Sequence, residues 1–106
     1  MDKKTVLEIA DRFHKEIVIR GIRLNKLILY GSYAHGKNTE DSDIDIIVVS
    51  DDFTRKDYWE RIEILTDAIY EIFAPIEASA FTEDEWKDGN SLIVDFAQNG
   101  EVLYAA

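Results

Sequence analysis

The sequence has no cysteine. A disulfide framework and a thiolate metal site are both excluded, and a reducing compartment is the natural setting. Proline occurs once, at Pro75, and no linker-like stretch divides the chain. Long apolar runs are missing too. The longest are of strand length, such as Ile46-Ile47-Val48-Val49, so neither a membrane span nor a secretory core is expected. Positive charge is scarce: 12 Lys and Arg stand against 22 Asp and Glu, a net charge of -10. Phosphate backbones need a basic footprint, so a protein that holds a long nucleic acid is not expected. The expectation is a soluble cytoplasmic protein forming one domain over residues 1–106.

The charge that is present is unevenly placed. Residues 1–37 hold eight basic and four acidic side chains, a balance of +4, and residues 38–106 hold four and eighteen, a balance of -14. The acidic part suits a soluble surface or a basic partner. A small anion such as a nucleotide remains acceptable if local cations offset the repulsion.

Apolar spacing predicts the elements. Val6, Ile9, Ala10, Phe13 and Ile17 mark an amphipathic helix over about residues 4–20, with Gly21 as its left-handed stop. Lys26 to Tyr30 reads as a buried strand, and residues 42–50 as a second. A long helix follows, with Thr54 as cap, Asp57 at the capping-box position, and a buried stripe of Tyr58, Ile62, Leu65, Ile69 and Ile72. Pro75 lies past its end. Ile76 to Phe81 is a third strand, and Thr82 with Glu85 forms a capping box that opens a short helix. Leu92, Ile93, Phe96 and Ala97 suggest a last helix, stopped by Gly100, before an edge strand at 101–104. Helices separate some strands but not others, which points to an α/β (α+β) fold with a small mixed sheet.

The stretch "GSYAHGKNTEDSDID", Gly31 to Asp45, carries the chemistry. Strand side chains alternate, so Asp43 and Asp45 share a face with Ile47 and Val49, while Ile44, Ile46 and Val48 face the other way, toward covering helices. Two carboxylates this close repel each other unless a cation joins them. Mg²⁺, which takes one or two carboxylates plus substrate phosphates, suits them. Glu77 starts the third strand and stands beside Asp45 if strands two and three are neighbours. Three convergent carboxylates would suit two metal ions in phosphoryl chemistry. Upstream, Gly31 allows close backbone approach, and Ser32 offers a hydroxyl and an N–H at a helix start. Gly36 permits a second turn, and Lys37 adds a cation.

"GSYAHGK" followed by "SDIDIIVV" resembles the signature of the DNA polymerase beta-like nucleotidyltransferases. Within that superfamily the chain resembles the minimal nucleotidyltransferases paired with HEPN-domain proteins. The likeness runs over nearly the whole chain, including "IEASAFTEDEW" and "GEVLY". It implies a nucleotidyltransferase fold with helices mainly on one face, opposite the site. It also implies nucleotidyl transfer from ATP or another nucleoside triphosphate, with two Mg²⁺ ions. Gly31 and Ser32 would hold the triphosphate, with Lys37 nearby, and Asp43 and Asp45 would hold both metals. Glu77 would hold the catalytic metal and help deprotonate the acceptor. The implied role is an antitoxin that adenylylates a HEPN ribonuclease. The length leaves no room for an acceptor domain, so a partner or a homodimer is expected to complete the site.

The chain departs from the family pattern where Glu77 replaces the commoner aspartate, moving the carboxylate by about 1.5 Å. It departs again where His35 replaces arginine, removing a fixed charge. Two alternatives follow: a catalytically weak or inactive module that neutralises its partner by contact, and a small-molecule nucleotidyltransferase. Elsewhere, His14 is expected at the surface, and Arg55, Lys56 and Arg61 in surface ion pairs. Trp59, Tyr70 and Phe73 are expected in the core, and Trp86 exposed as a partner contact.

Overall fold

The computed structural model describes residues 1–89, 92–97 and 99–106, with Phe96 described for its backbone alone. Helix α1 spans Lys3–Ile19. Asp2 caps it, its carboxylate accepting from the Thr5 N–H at 2.8 Å. Val6, Ala10, Phe13 and Ile17 form its buried face, and Gly21 turns the chain out at φ 89°.

Strands β1 (Lys26–Tyr30), β2 (Ile44–Val49), β3 (Ile76–Phe81) and β4 (Glu101–Ala105) form one sheet in the order β3-β2-β1-β4. β1 pairs antiparallel with both β2 and β4, while β2 and β3 run parallel. The sheet is mixed, as the helix spacing implied. β2 begins at Ile44 rather than 42 because the preceding residues close a turn of their own. Ser42 N–H donates to the Thr39 carbonyl, and Ser42 Oγ accepts from the Thr39 N–H at 2.8 Å. Asp43 therefore lies just outside the strand.

The four-residue helix α2 (Ser32–His35) follows β1 directly. After β2 comes a single 3-10 turn, Asp51–Phe53, capped by Ser50. Thr54 ends that turn. The long helix α3 (Tyr58–Ile72) is capped instead by Asp57, in a reciprocal capping box with Glu60. Helix α4 (Glu83–Asp88) has the expected Thr82–Glu85 box, and α5 covers Leu92–Ala97. The expected place of Phe96 in the α5 stripe lies outside the described side chains.

Alternation splits the core in two. Leu27, Leu29, Ile44, Ile46 and Val48 face α1 and α3 and pack with Phe13, Ile17 and Phe53. Ile28, Ile47 and Val49 face the other way and are covered by Ala97, Phe81 and Trp86. The long helices thus lie opposite the carboxylate face, and α4 and α5 close the lower part of that face.

Five aromatic expectations change. Trp59, Tyr70 and Phe73 are 73%, 77% and 91% exposed, not core. The inward stripe of α3 is Leu65, Ala68 and Ile72, which leaves Trp59 and Tyr70 on the outer side. Tyr58, expected in the buried stripe, is exposed as well. Trp86, expected outside, packs at a tilt on Phe81 with ring centroids 6.1 Å apart. His14 is half-buried, edge-on to Tyr104 at 4.6 Å. Arg61 pairs with an acid, Glu85, at 2.6 Å, but as a brace rather than a surface pair: it also donates to the carbonyls of Phe53 and Lys56. No helix among the described residues is long and apolar enough to cross a membrane.

Candidate active site

One row of side chains crosses three strands. Tyr30 is the register partner of Asp45 in the β1–β2 pair, and Asp45 is the partner of Glu77 in the β2–β3 pair. Register partners point to the same face, so Tyr30, Asp45 and Glu77 line up at one end of the sheet. The adjacency on which the role of Glu77 depended is present. Tyr30 was not singled out from the sequence. Its place follows only from the register of the antiparallel β1–β2 pair.

The electrostatics follow from burial and from the neighbouring carboxyls. Burial pushes the Asp45 carboxyl up, the charge of Glu77 and a hydrogen bond between the two carboxyls push it further, and Asp43 adds to this, bringing it to about 6. Burial likewise raises the Tyr30 hydroxyl, reinforced by Asp45 and then Glu77. A half-buried carboxyl raised by burial and by two neighbouring carboxylates marks a site short of positive charge.

Gly31 joins β1 to α2 against this row. Its backbone sits at φ 73°, ψ -153°, a region that is nearly glycine's alone. A Cβ added there would run into Asp45 Oδ2 and lie 3.2 Å from Asp45 Cγ. The glycine is therefore required twice, by its own backbone and by the carboxylate facing it. Ser32 opens α2. Gly36 closes it in the left-handed region at φ 70°, with the Lys37 N–H donating to the Ser32 carbonyl at 2.9 Å. His35 and Lys37 are exposed, and no ion pair among the described residues engages Lys37.

Asp43 is exposed at the mouth of the site. Among the described residues no three acidic or histidine side chains form a ready-made metal cage, so the expected three-carboxylate convergence is not closed. The donor set still fits a hard divalent cation. Burial and the neighbouring carboxylates hold the Asp45 carboxyl above its ordinary range, a condition a cation would relieve, and Mg²⁺ commonly takes one or two carboxylates and fills its shell from water and substrate phosphates.

Comparison with known proteins identifies the family. A protein of Methanocaldococcus jannaschii named as a candidate protein adenylyltransferase is 39% identical over 84 residues, covering 77% of this chain and 80% of that protein. A second, similarly named protein from the same organism is 39% identical over 64 residues, covering 58% of this chain and 64% of the relative, just under two thirds of its length. In fold, a candidate nucleotidyltransferase from Sulfolobus solfataricus superposes with a TM-score of 0.74 at 17% identity, over 97% of this chain and 83% of that one. A toxin-antitoxin structure with AMP-PNP gives 0.60 at 20% identity, over 88% and 73%. Residues 12–101, which include the Gly31 turn and the Asp45–Glu77 pair but leave out the first half of α1 and most of β4, match the nucleotidyltransferase domain, and the chain belongs to that family.

Proposed function

We propose that this chain transfers a nucleotidyl group, AMP from ATP in the first instance, to a hydroxyl on a protein partner, and that it serves as the antitoxin to a HEPN-domain ribonuclease. The hydroxyl oxygen bonds to the α-phosphorus, the bond to pyrophosphate breaks, and the hydroxyl proton passes to a carboxylate. In this reading Glu77, which lies on the outermost strand of the row, takes that proton. Gly31 and Ser32 bring main chain to the triphosphate, and Lys37 supplies a cation at its edge. Asp43, Asp45 and Glu77 would hold Mg²⁺, which when bound neutralises triphosphate charge.

The observation that carries this reading is the register match of Asp45 with Glu77 beside a glycine that admits no side chain. The names of the relatives support a protein acceptor, and the AMP-PNP in the toxin-antitoxin neighbour supports an adenine nucleotide as donor.

The test is the intact mass of the partner that co-purifies from the native host, with the wild-type chain and with Asp43→Asn. The expected result is a nucleotidyl mass increment with the wild type alone. A partner left unmodified but bound equally by both would replace this reading with neutralisation by contact. Exposed Asp43 and the uncovered Trp59, Tyr70 and Phe73 are the features that favour that second reading.

A further inference from the structure

The sheet has two edges, and they differ. β4 meets β1 with a register shift between Leu27 and Ile28, a device that breaks a continuous edge. β3 has no such device. Its register with β2 is unbroken from Ile76 to Phe81, and Ala78-Ser79-Ala80 carries no charge and no proline.

The hydrogen-bonding direction of β3 is fixed at both ends. The Pro75 carbonyl accepts from the Ile44 N–H at 2.8 Å, and the Phe81 carbonyl accepts from the Ser50 N–H at 2.9 Å. Main-chain groups alternate along a strand, so Glu77 and Ser79 also pair inward with β2, and Ala78 and Ala80 turn their N–H and C=O outward. Among the described residues no hydrogen bond reaches those outward groups. They line a groove of about 700 Å³ walled by Tyr58, Arg61 and Ile62 of α3 and by Glu85 of α4, the two walls joined by the Arg61–Glu85 ion pair at 2.6 Å.

We propose that this groove receives an extended segment of the acceptor protein as a fifth strand on β3. The inference rests on the protein-acceptor reading above. A strand added there lies about 5 Å beyond β3. Its residue opposite Glu77 continues the row Tyr30–Asp45–Glu77 on the same face, which is where an acceptor hydroxyl has to stand. Main-chain bonds to Ala78 and Ala80 supply the register, and side chains in the groove supply selectivity. The occupant is basic. The chain carries a net charge of -10, concentrated as -14 in residues 38–106, which attracts a cationic segment and repels a second copy of itself.

The probe is a synthetic decapeptide of alternating lysine and valine with one central tyrosine, added to the full chain with Mg²⁺ and ATP. Amide hydrogen exchange is read residue by residue, and the peptide is weighed afterwards. The expected result is that the Ala78 and Ala80 amides, fast in the free chain, slow at least tenfold. The same peptide N-methylated at alternate residues should leave them fast, and Ala80→Pro, which removes an outward N–H, should abolish the effect. The N-methyl control keeps the test decisive if Ala80→Pro fails to fold. Unchanged exchange at millimolar peptide overturns the proposal. So does protection already present in the free chain together with a doubled hydrodynamic mass, which would assign the edge to a second copy. Protection without a nucleotidyl adduct on the tyrosine sustains strand addition and counts against the transfer reading. An adduct without protection does the reverse.

Discussion

The Cα of Gly31 faces the carboxylate of Asp45 with no room for a methyl group between them. One residue ends β1 and the other belongs to β2, so the turn and the strand are fitted to each other before any ligand arrives. Gly31→Ala is expected to lower stability by at least about 2 kcal/mol, since a non-glycine residue in that backbone region costs about 1–3 kcal/mol before the collision is counted. Urea denaturation measures it. In a double-mutant cycle, Asp45→Ala should recover the part due to collision and leave the backbone part.

The raised Asp45 carboxyl predicts a pH dependence. In the metal-free chain Asp45 is pushed up to about 6, first by burial and then by Glu77 and Asp43, from an ordinary 3.8. As pH rises through that window the unfolded chain releases a proton that the folded chain keeps. The unfolded state then binds fewer protons, so this group's contribution to stability falls between about pH 4 and 6 and is level above. Asp2, lowered by its hydrogen bonds with Thr5, and Glu85, lowered by Arg61 and Thr82 although burial opposes it, slope the other way. The difference between wild type and Asp45→Asn isolates the effect. Denaturation at pH 4.5 and pH 7 should show Asp45→Asn gaining on the wild type at the higher pH.

Asp43→Asn keeps the shape of an exposed side chain and removes its charge. Nucleotidyl transfer should fall more than about 100-fold, about 2.7 kcal/mol of barrier, while the melting temperature stays within a degree or two. Transfer at the wild-type rate would remove Asp43 from the site.

Phe73 ends α3 in the left-handed region at φ 52° with its ring 91% exposed. A side chain there costs about 1–2 kcal/mol that glycine avoids, and little packing is lost with the ring. Phe73→Gly should therefore stabilise the isolated chain by about 1 kcal/mol, after allowing for the freer unfolded state. Weaker binding of the co-purifying partner by the same variant would show that the ring is kept for contact.

Local signals were legible in the sequence, and pairings across distance were not. Lys26–Tyr30, Ile76–Phe81 and the Thr82–Glu85 box appear where spacing and turn residues put them. Asp57 could serve as the third residue after a Thr54 cap or as the cap for Glu60. The choice was settled by Ser50, which closes a turn ahead of both. The aromatics misled because α3 is apolar on more than one side. Tyr58, Trp59, Ile62, Leu65, Ile69, Tyr70, Ile72 and Phe73 circle it, and a pattern that wraps a helix does not say which stripe faces inward. The carboxylates were visible as a motif, but the neighbourhood of Asp45 and Glu77 is a fact of strand order, and Tyr30 enters only through it.

The parallel pairing of β2 with β3 also sets when the site can exist. Asp45 and Glu77 are 32 positions apart, with all of α3 between them. A hairpin of β1 and β2 can form from neighbouring segments, but the crossover must close before the second carboxylate arrives, and non-local closure is the slow part of folding. A nascent chain shorter than residue 81, or one in which α3 has come loose, holds half a site. Chemistry is thereby reserved for molecules that have finished folding, and loss of transfer should report any loosening of the crossover before the rest of the sheet responds.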